Sequence, residues 1–322
     1  MAPSRVSGRA LAYMALAATL FATMNFLARL ASTSASWQSV GALRALVGAL
    51  VAIAVARVRG VRLEVVDRRA MLWRSLVGTG AMIATFYALS SRSMSLGDTA
   101  TLLYLAPVFL AVLAPIFLRE RTGAGVAVAI LLSLGGVLLV VKPAFLFGSR
   151  ASGPELVAVG TGGPSARATA LAALAAAFLS SIAMILLRRI SRRESAEAIA
   201  LHFSAFAAVT LGALSAFDLR LPTLRDAGLV LAAGACAGVA QIAMTRAYAL
   251  EGAARVGAIG YLSVVVSALL GAARLHDRPD ALAIGGMALV IVGGMVALFA
   301  RAGKDPPEAP RSAQLRAARR PL

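Results

Sequence analysis

Long apolar runs separated by short polar or basic breaks make up most of the chain. Runs at 10–31, 37–56, 70–91, 96–121 and 123–141 are followed, after a gap, by runs at 167–187, 196–217, 224–250, 252–273 and 281–300. Nearly all reach about 18 residues or more, enough to cross a hydrocarbon core of about 30 Å as a helix. None alternates with period two as a membrane barrel strand does, so backbone donors must be satisfied within helices. The pattern predicts an all-α integral membrane protein with ten transmembrane helices.

The fourth run organises the rest. It reads LGDTATLLYLAPVFLAVLAPIFLRER, interrupted by Pro107 and Pro115 and closed by Arg119, Glu120 and Arg121. The ninth, GAARVGAIGYLSVVVSALLGAARLHDR, slides onto it at a constant offset that lays Tyr104 on Tyr261, Leu105 on Leu262, Val108 on Val265, Glu120 on Asp277 and Arg121 on Arg278. The chain is therefore a tandem duplication of a five-span unit. An odd span count forces the second unit to enter from the opposite side, which predicts two inverted five-helix repeats. Such repeats build many secondary transporters, with the solute site near the midplane at their interface. The expected organisation is a cytoplasmic N-terminus at 1–9, a first repeat at 10–142, a Gly-, Pro- and Ser-rich linker at 143–166, a second repeat at 167–301 and a disordered basic tail at 302–322.

Composition agrees with a lipid setting: 60% of residues are apolar, 14% are charged, and mean hydropathy is +0.83. The net charge of +18 would suggest nucleic acid for a soluble protein, but here it sits mostly in loops, and no nucleic-acid partner is predicted. One face collects Arg5, Arg9, Arg57, Arg59, Arg62, Arg68, Arg69, Arg119, Arg121, Arg188, Arg189, Arg192, Arg193, Arg246, Arg255 and the tail. The excess of Lys and Arg places that face, and both termini, in the cytoplasm. The first run is expected to be a retained helix rather than a cleaved leader. Abundant Ala, Gly and Arg without organelle targeting point to a bacterial cell inner membrane, with the lipid bilayer as the surrounding partner. The lone Cys236 lies in an apolar run and reads as core packing.

Polar side chains inside apolar runs are costly and tend to face a cavity or another helix. Tyr104 and Tyr261 both approach mid-membrane, each offering an apolar ring and one hydrogen-bonding tip, and are the leading candidates for contact with a solute. The alternative is a hydrogen bond to a neighbouring helix. Arg44 and His202 overlay each other about two turns into their spans; either could meet an anionic substrate, with snorkelling or a structural hydrogen bond as the more conservative role. Asn25 and Gln241 carry amides that need several partners, and helix–helix bonding competes with solute contact for both. Pro107 and Pro115 each remove a backbone bond from the fourth run and are candidate hinges. Gly135, Gly136, Gly285, Gly286, Gly293 and Gly294 suit close packing within the monomer or a homodimer contact. No Asp or Glu lies mid-helix, so no carboxylate proton relay is evident.

Several of these residues together resemble a known family. Tyr87-Ala88-Leu89 ending the third run, YLAPVF at 104–109, Arg119-Glu120-Arg121 and the glycine-bearing LSLGGVLLV at 132–140 look like an EamA-type repeat of the drug/metabolite transporter superfamily. Thr245-Arg246-Ala247-Tyr248, Tyr261-Leu262-Ser263 and His276-Asp277-Arg278-Pro279 match in the second half. The resemblance covers nearly the whole chain and implies a ten-helix carrier of small organic solutes. It implies a central cavity lined by the first, third, fourth, sixth, eighth and ninth helices, with Asn25, Tyr87, Tyr104, Gln241 and Tyr261 nearest it. It also matches Arg44 to an arginine common in the family's second helix. This chain departs in carrying Asp277 where the repeat usually has Glu and in lacking the second-half proline.

The resulting expectation is a secondary transporter, an exporter of a small metabolite or drug, working by alternating access without a cofactor. No ATP-binding GxxxxGK[ST] motif occurs. A lipid-acting membrane enzyme is disfavoured because the only histidines, His202 and His276, stand in no metal-binding or nucleophile-activating spacing. A membrane scaffold would call for a partner domain or a large recognition loop, and the chain has neither.

Overall fold

A computed structural model describes residues 8–31, 35–90, 93–94, 96–120, 122–148, 165–217, 221–275 and 280–299. Most of the expected linker, the basic tail, Arg121 and the stretch from His276 to Pro279 lie outside the described residues. Every regular element among the described residues is helical: α1 Gly8–Ala31, α2 Trp37–Val58, α3 Arg68–Ser90, α4 Leu96–Leu103, α5 Ala106–Phe117, α6 Ala124–Val141, α7 Ala144–Phe147, α8 Ala166–Ile190, α9 Ala196–Ser215, α10 Leu224–Leu250, α11 Ala253–Gly260, α12 Leu262–Leu275 and α13 Ala281–Phe299.

Eight segments are long and apolar enough to cross a membrane, α4 with α5 forming one of them and α11 with α12 another. α13 is apolar but shorter, and α3 is diluted by Arg74, Ser75, Thr79 and Thr85. The fourth and ninth runs, expected as single spans, are each two helices joined end to end, the first broken at Tyr104-Leu105 and the second at Tyr261.

Helix starts are written locally. Ser36, Ser165, Ser195 and Thr223 are N-caps whose hydroxyl oxygens accept from the N–H groups of Ser39, Ala168, Ala198 and Asp226. Each satisfies a donor that the helix cannot, a contribution of about 1 kcal/mol. The interior depends on small residues: Ala17, Ala52, Ala173, Ala176, Ala200, Ala233 and Ala240 are fully buried, which lets backbones approach without a hydrophobic driving force between helices. The closest approach joins α6 to α13. A Cβ on Gly136 would lie 2.5 Å from the Gly286 carbonyl, and one on Gly286 would lie 2.6 Å from the Gly136 carbonyl.

Helices before the linker pack mainly on helices after it. α1 packs on α10, α2 on α9 and α10, α3 on α8 and α9, α5 on α8 and α11, α6 on α13, and α1 also on α11 and α12. One apolar cluster gathers Met14, Met71, Leu110, Leu187, Ile199, Tyr248 and Val256 from both sides of the linker. A second gathers Val126, Ile130, Val137, Tyr261, Val264 and Val290.

Candidate solute-binding site

The two helix breaks face each other. Leu105 has φ −73° and ψ −11°, and Tyr261 has φ −61° and ψ −16°, so neither break is a sharp reversal. At the first break Val108 gives its N–H to the Leu105 carbonyl at 3.0 Å, leaving the Tyr104 carbonyl outside the helical ladder. Pro107, in the first turn of α5, has no N–H to offer the Leu103 carbonyl. The Tyr261 hydroxyl donates to the freed Tyr104 carbonyl at 2.8 Å, and the two rings lie 6.3 Å apart, tilted by 45°. The second break has no proline: Tyr261 bonds Ala258 at 3.4 Å and Val264 bonds Tyr261 at 3.0 Å, a tightened turn.

Between the breaks lies a cavity of about 210 Å³. Its walls come from α1 (Met14), the α4–α5 break (Leu103, Tyr104, Pro107, Leu110), α8 (Ser181, Met184), α10 (Met244, Tyr248) and the α11 break (Gly257, Gly260, Tyr261). The lining is mainly apolar, with methionines that adapt to irregular shapes and a few hydroxyl-bearing side chains, the usual composition of a site for a small organic molecule. Of the helices implied by the family resemblance, the third contributes no residue to this wall.

The candidates read from the sequence are not all brought together. Tyr104, Tyr261 and Pro107 line the cavity. Pro115 lies exposed on α5, and the Ala111 carbonyl that it deprives of a partner accepts instead from the Thr122 hydroxyl at 3.0 Å. Asn25 is exposed on α1 and Tyr87 is exposed on α3. Gln241 is buried in α10, and its backbone carbonyl accepts from the Thr245 hydroxyl. Arg44 is buried in an unusual cage: Nη1 donates to Met24 Sδ at 2.8 Å, Nη2 to Met82 Sδ at 3.0 Å, and the guanidinium lies 5.2 Å from the centre of the Phe86 ring. His202 shares a hydrogen bond at 2.9 Å between Nδ1 and Ser75 Oγ.

Tyr248, Met184 and Met244 at the cavity wall were not singled out by sequence as site residues, and neither was Arg74 on α3. Apolar lining residues look like any other buried residue in a run, so only the fold reveals them. Arg74 carried a signal, a full charge inside the third run, masked by the arginines that precede it.

Ion pairs gather at one end of the bundle. Glu120 accepts from Arg188 Nε at 2.7 Å, lies 3.7 Å from Arg192 Nη2, and accepts with its other oxygen from the Ala253 N–H at 2.8 Å. A carboxylate at a helix start is also favoured by the helix dipole, so Glu120 is both an ion-pair partner and the cap of α11. Glu197, 3% exposed, pairs with Arg246 and with Arg59. Glu194 accepts the N–H groups of Val66 and Asp67 at 2.9 and 2.8 Å. At the other end Lys142 pairs with Asp280. Among the described residues no group of three or more His, Cys, Asp or Glu could hold a metal ion.

A multi-span helical bundle with an apolar cavity between its halves is the architecture of a membrane solute transporter. The sequence profile of the EamA-like transporter family matches residues 8–142 and 167–299, and the chain belongs to that family. The pseudopaline exporter CntI of Pseudomonas aeruginosa is 29% identical over 278 residues, covering 86% of this chain and 91% of that protein. The probable transport protein YPL264C of Saccharomyces cerevisiae is 27% identical over 248 residues, 74% of this chain and 69% of the relative. A known crystal structure superposes with a TM-score of 0.74 at 20% identity, covering 90% of this chain and 97% of the other, and shows the same fold. Family and named relatives are transporters rather than enzymes, so the chain is a multi-pass membrane transporter.

Proposed function

We propose that the protein is a secondary carrier that exports a small organic solute through the cavity between the two helix breaks, by alternating access of two inverted five-helix repeats. The carrying observation is the tie from the Tyr261 hydroxyl to the Tyr104 carbonyl, which joins equivalent points of the duplicated unit beside the cavity. Reciprocal packing supports the inverted arrangement. α1 on α10 mirrors α3 on α8, α1 on α11 and α12 mirrors α8 on α4 and α5, and α2 on α9 and α6 on α13 are their own mirror images. On this reading α3 and α13 complete a set of ten spans.

Glu120 and Glu197 gather Arg59, Arg188, Arg192 and Arg246 at one end, and the excess of arginine makes that end the cytoplasmic face of a bacterial inner membrane. Three of those pairs, Arg59 with Glu197 and Arg188 and Arg192 with Glu120, cross from one half to the other and form the inner gate, closed in this conformation. Opening exchanges the ion pairs for water, a modest cost because several partners are already part-exposed. The broken helices supply the joints: a turn without full ladder bonding bends more easily than a continuous helix. Export as the direction rests on the likeness to CntI, named as an exporter.

The test is thermal unfolding of detergent-purified protein against a metabolite panel, for wild type, Tyr104→Ala and Met184→Trp. Ligands that bind only the folded state raise the melting temperature. A stabilising solute whose effect falls in both variants supports the cavity as the site; an effect unchanged in both rejects it.

A further inference from the structure

Arg74 is the least exposed charged residue among the described residues, at 1%. It sits seven residues into α3, about 9 Å along the axis from the helix start. Its Nε and Nη1 are buried without a hydrogen-bond partner. Its guanidinium lies over the face of Phe203, 4.5 Å from the ring centre. The other buried charges are provided for: Arg188 by Glu120, Arg255 by Glu251, Glu197 by two arginines, and Arg44 by two methionine sulfurs. Carboxylates near α3 form bonds elsewhere, Glu197 as described, Glu194 through one of its two oxygens and Asp98 to the Phe145 N–H.

A guanidinium keeps its proton, and a buried unpaired cation is a large penalty unless an anion arrives to meet it. Arg74 does not itself line the cavity, but it interacts electrostatically with Tyr248, which forms part of the cavity wall. Met71, one turn away on α3, packs in the same apolar cluster as Tyr248, Met14 and Met244. The unsatisfied cation therefore stands one helical turn from a cluster that shares Met14, Met244 and Tyr248 with the cavity wall.

We propose that Arg74 binds the anionic end of the transported solute, and that the solute is an organic acid with an apolar body. This rests on the cavity being the transport site. The carboxylate takes the vacant guanidinium donors, and Met14, Leu110, Met184 and Met244 cover the apolar body.

The experiment is thermal unfolding of the full chain with hexanoate and phenylacetate against the matching amides, hexanamide and phenylacetamide, with phenethylamine as a cationic probe. Wild type, R74Q, R74K, R44Q and Met184→Trp are compared. R74Q removes an uncompensated charge, so the empty protein stays folded. The acids are expected to stabilise wild type and R44Q, with at least about tenfold weaker response in R74Q and an intermediate one in R74K, while the amides have little effect. Equal response to the amides, an undiminished response in R74Q, or no response to either acid overturns the proposal. A response to phosphatidylglycerol nanodiscs in place of the acids also overturns it, assigning Arg74 to a lipid phosphate. If phenethylamine or the amides bind and Met184→Trp abolishes that binding, the organic-acid inference fails and the carrier reading stands. If binding of every probe is absent or indifferent to Met184→Trp, the cavity reading fails as well.

Discussion

Tyr104 and Tyr261 hold the same place in the duplicated unit and have come to do different things. Tyr261 is 1% exposed, packs with Val264 and Val265, and donates its hydroxyl to the other half. Tyr104 is only partly buried at the cavity wall, and what it gives to that bond is its backbone carbonyl, leaving its own hydroxyl uncommitted. Duplication supplied two copies of one turn; in one copy the side chain fastens the halves together, and in the other it faces the space between them. The same divergence recurs nearby, where the position of Pro107 in the first half is taken by Val264 in the second although both helices are broken.

The largest effect expected from this contrast is on stability. Tyr261→Ala removes a fully buried ring and its hydrogen bond and should cost about 3–5 kcal/mol, whereas Tyr104→Ala should cost about 1–2 kcal/mol. Reversible unfolding in mixed micelles measures both, and equal losses would erase the distinction. Val264→Pro comes next. In an unbroken helix a proline costs about 3 kcal/mol or more, but Val264 lies in the first turn after a break and gives up only its bond to Tyr261, so about 1 kcal/mol is expected. A loss near the larger figure would mean that the ninth span is continuous. The hydroxyls alone sharpen the comparison further: Tyr261→Phe should cost about 1 kcal/mol, and Tyr104→Phe less than about 0.5 kcal/mol while weakening solute-induced stabilisation.

The smallest effect concerns the last span of each half. Gly123 starts α6 without a side-chain cap, whereas Asp280, at the equivalent place before α13, accepts from the Ala283 N–H and pairs with Lys142. The Lys142 hydrogen bond, then the Ala283 N–H, hold the Asp280 carboxyl below the ordinary carboxylate range. A lowered carboxyl pKa stabilises the fold above its unfolded value and loses that contribution as pH falls through the folded value. Wild type should therefore melt slightly above Asp280→Asn at neutral pH and converge with it in acid. Parallel curves would show that the pair contributes nothing.

Span periodicity and the duplicated motif were legible because they are set by the solvent: a lipid core demands long apolar helices, and repetition of Tyr-Leu after an apolar half-helix is visible in the letters. The helix breaks were less so. Pro107 announced the first, but the second arises at Tyr261 without proline, from packing against the first half. Arg44 and His202 read as a symmetric pair, yet one lies between methionines of α1 and α3 and the other on Ser75 of α3. Arg74 shows the limit of counting charges by loop, since an arginine just inside a span resembles its neighbours in the basic loop until burial separates them.

Access to the cavity from both sides tests the central claim most directly. Met184→Cys, in a Cys236→Ser background, places one thiol at the cavity wall for labelling by a membrane-impermeant reagent in right-side-out and inverted vesicles. A carrier that alternates should be labelled from both sides and protected by its solute. Labelling from neither side, or from one side only whatever the solute, would contradict alternating access around this cavity.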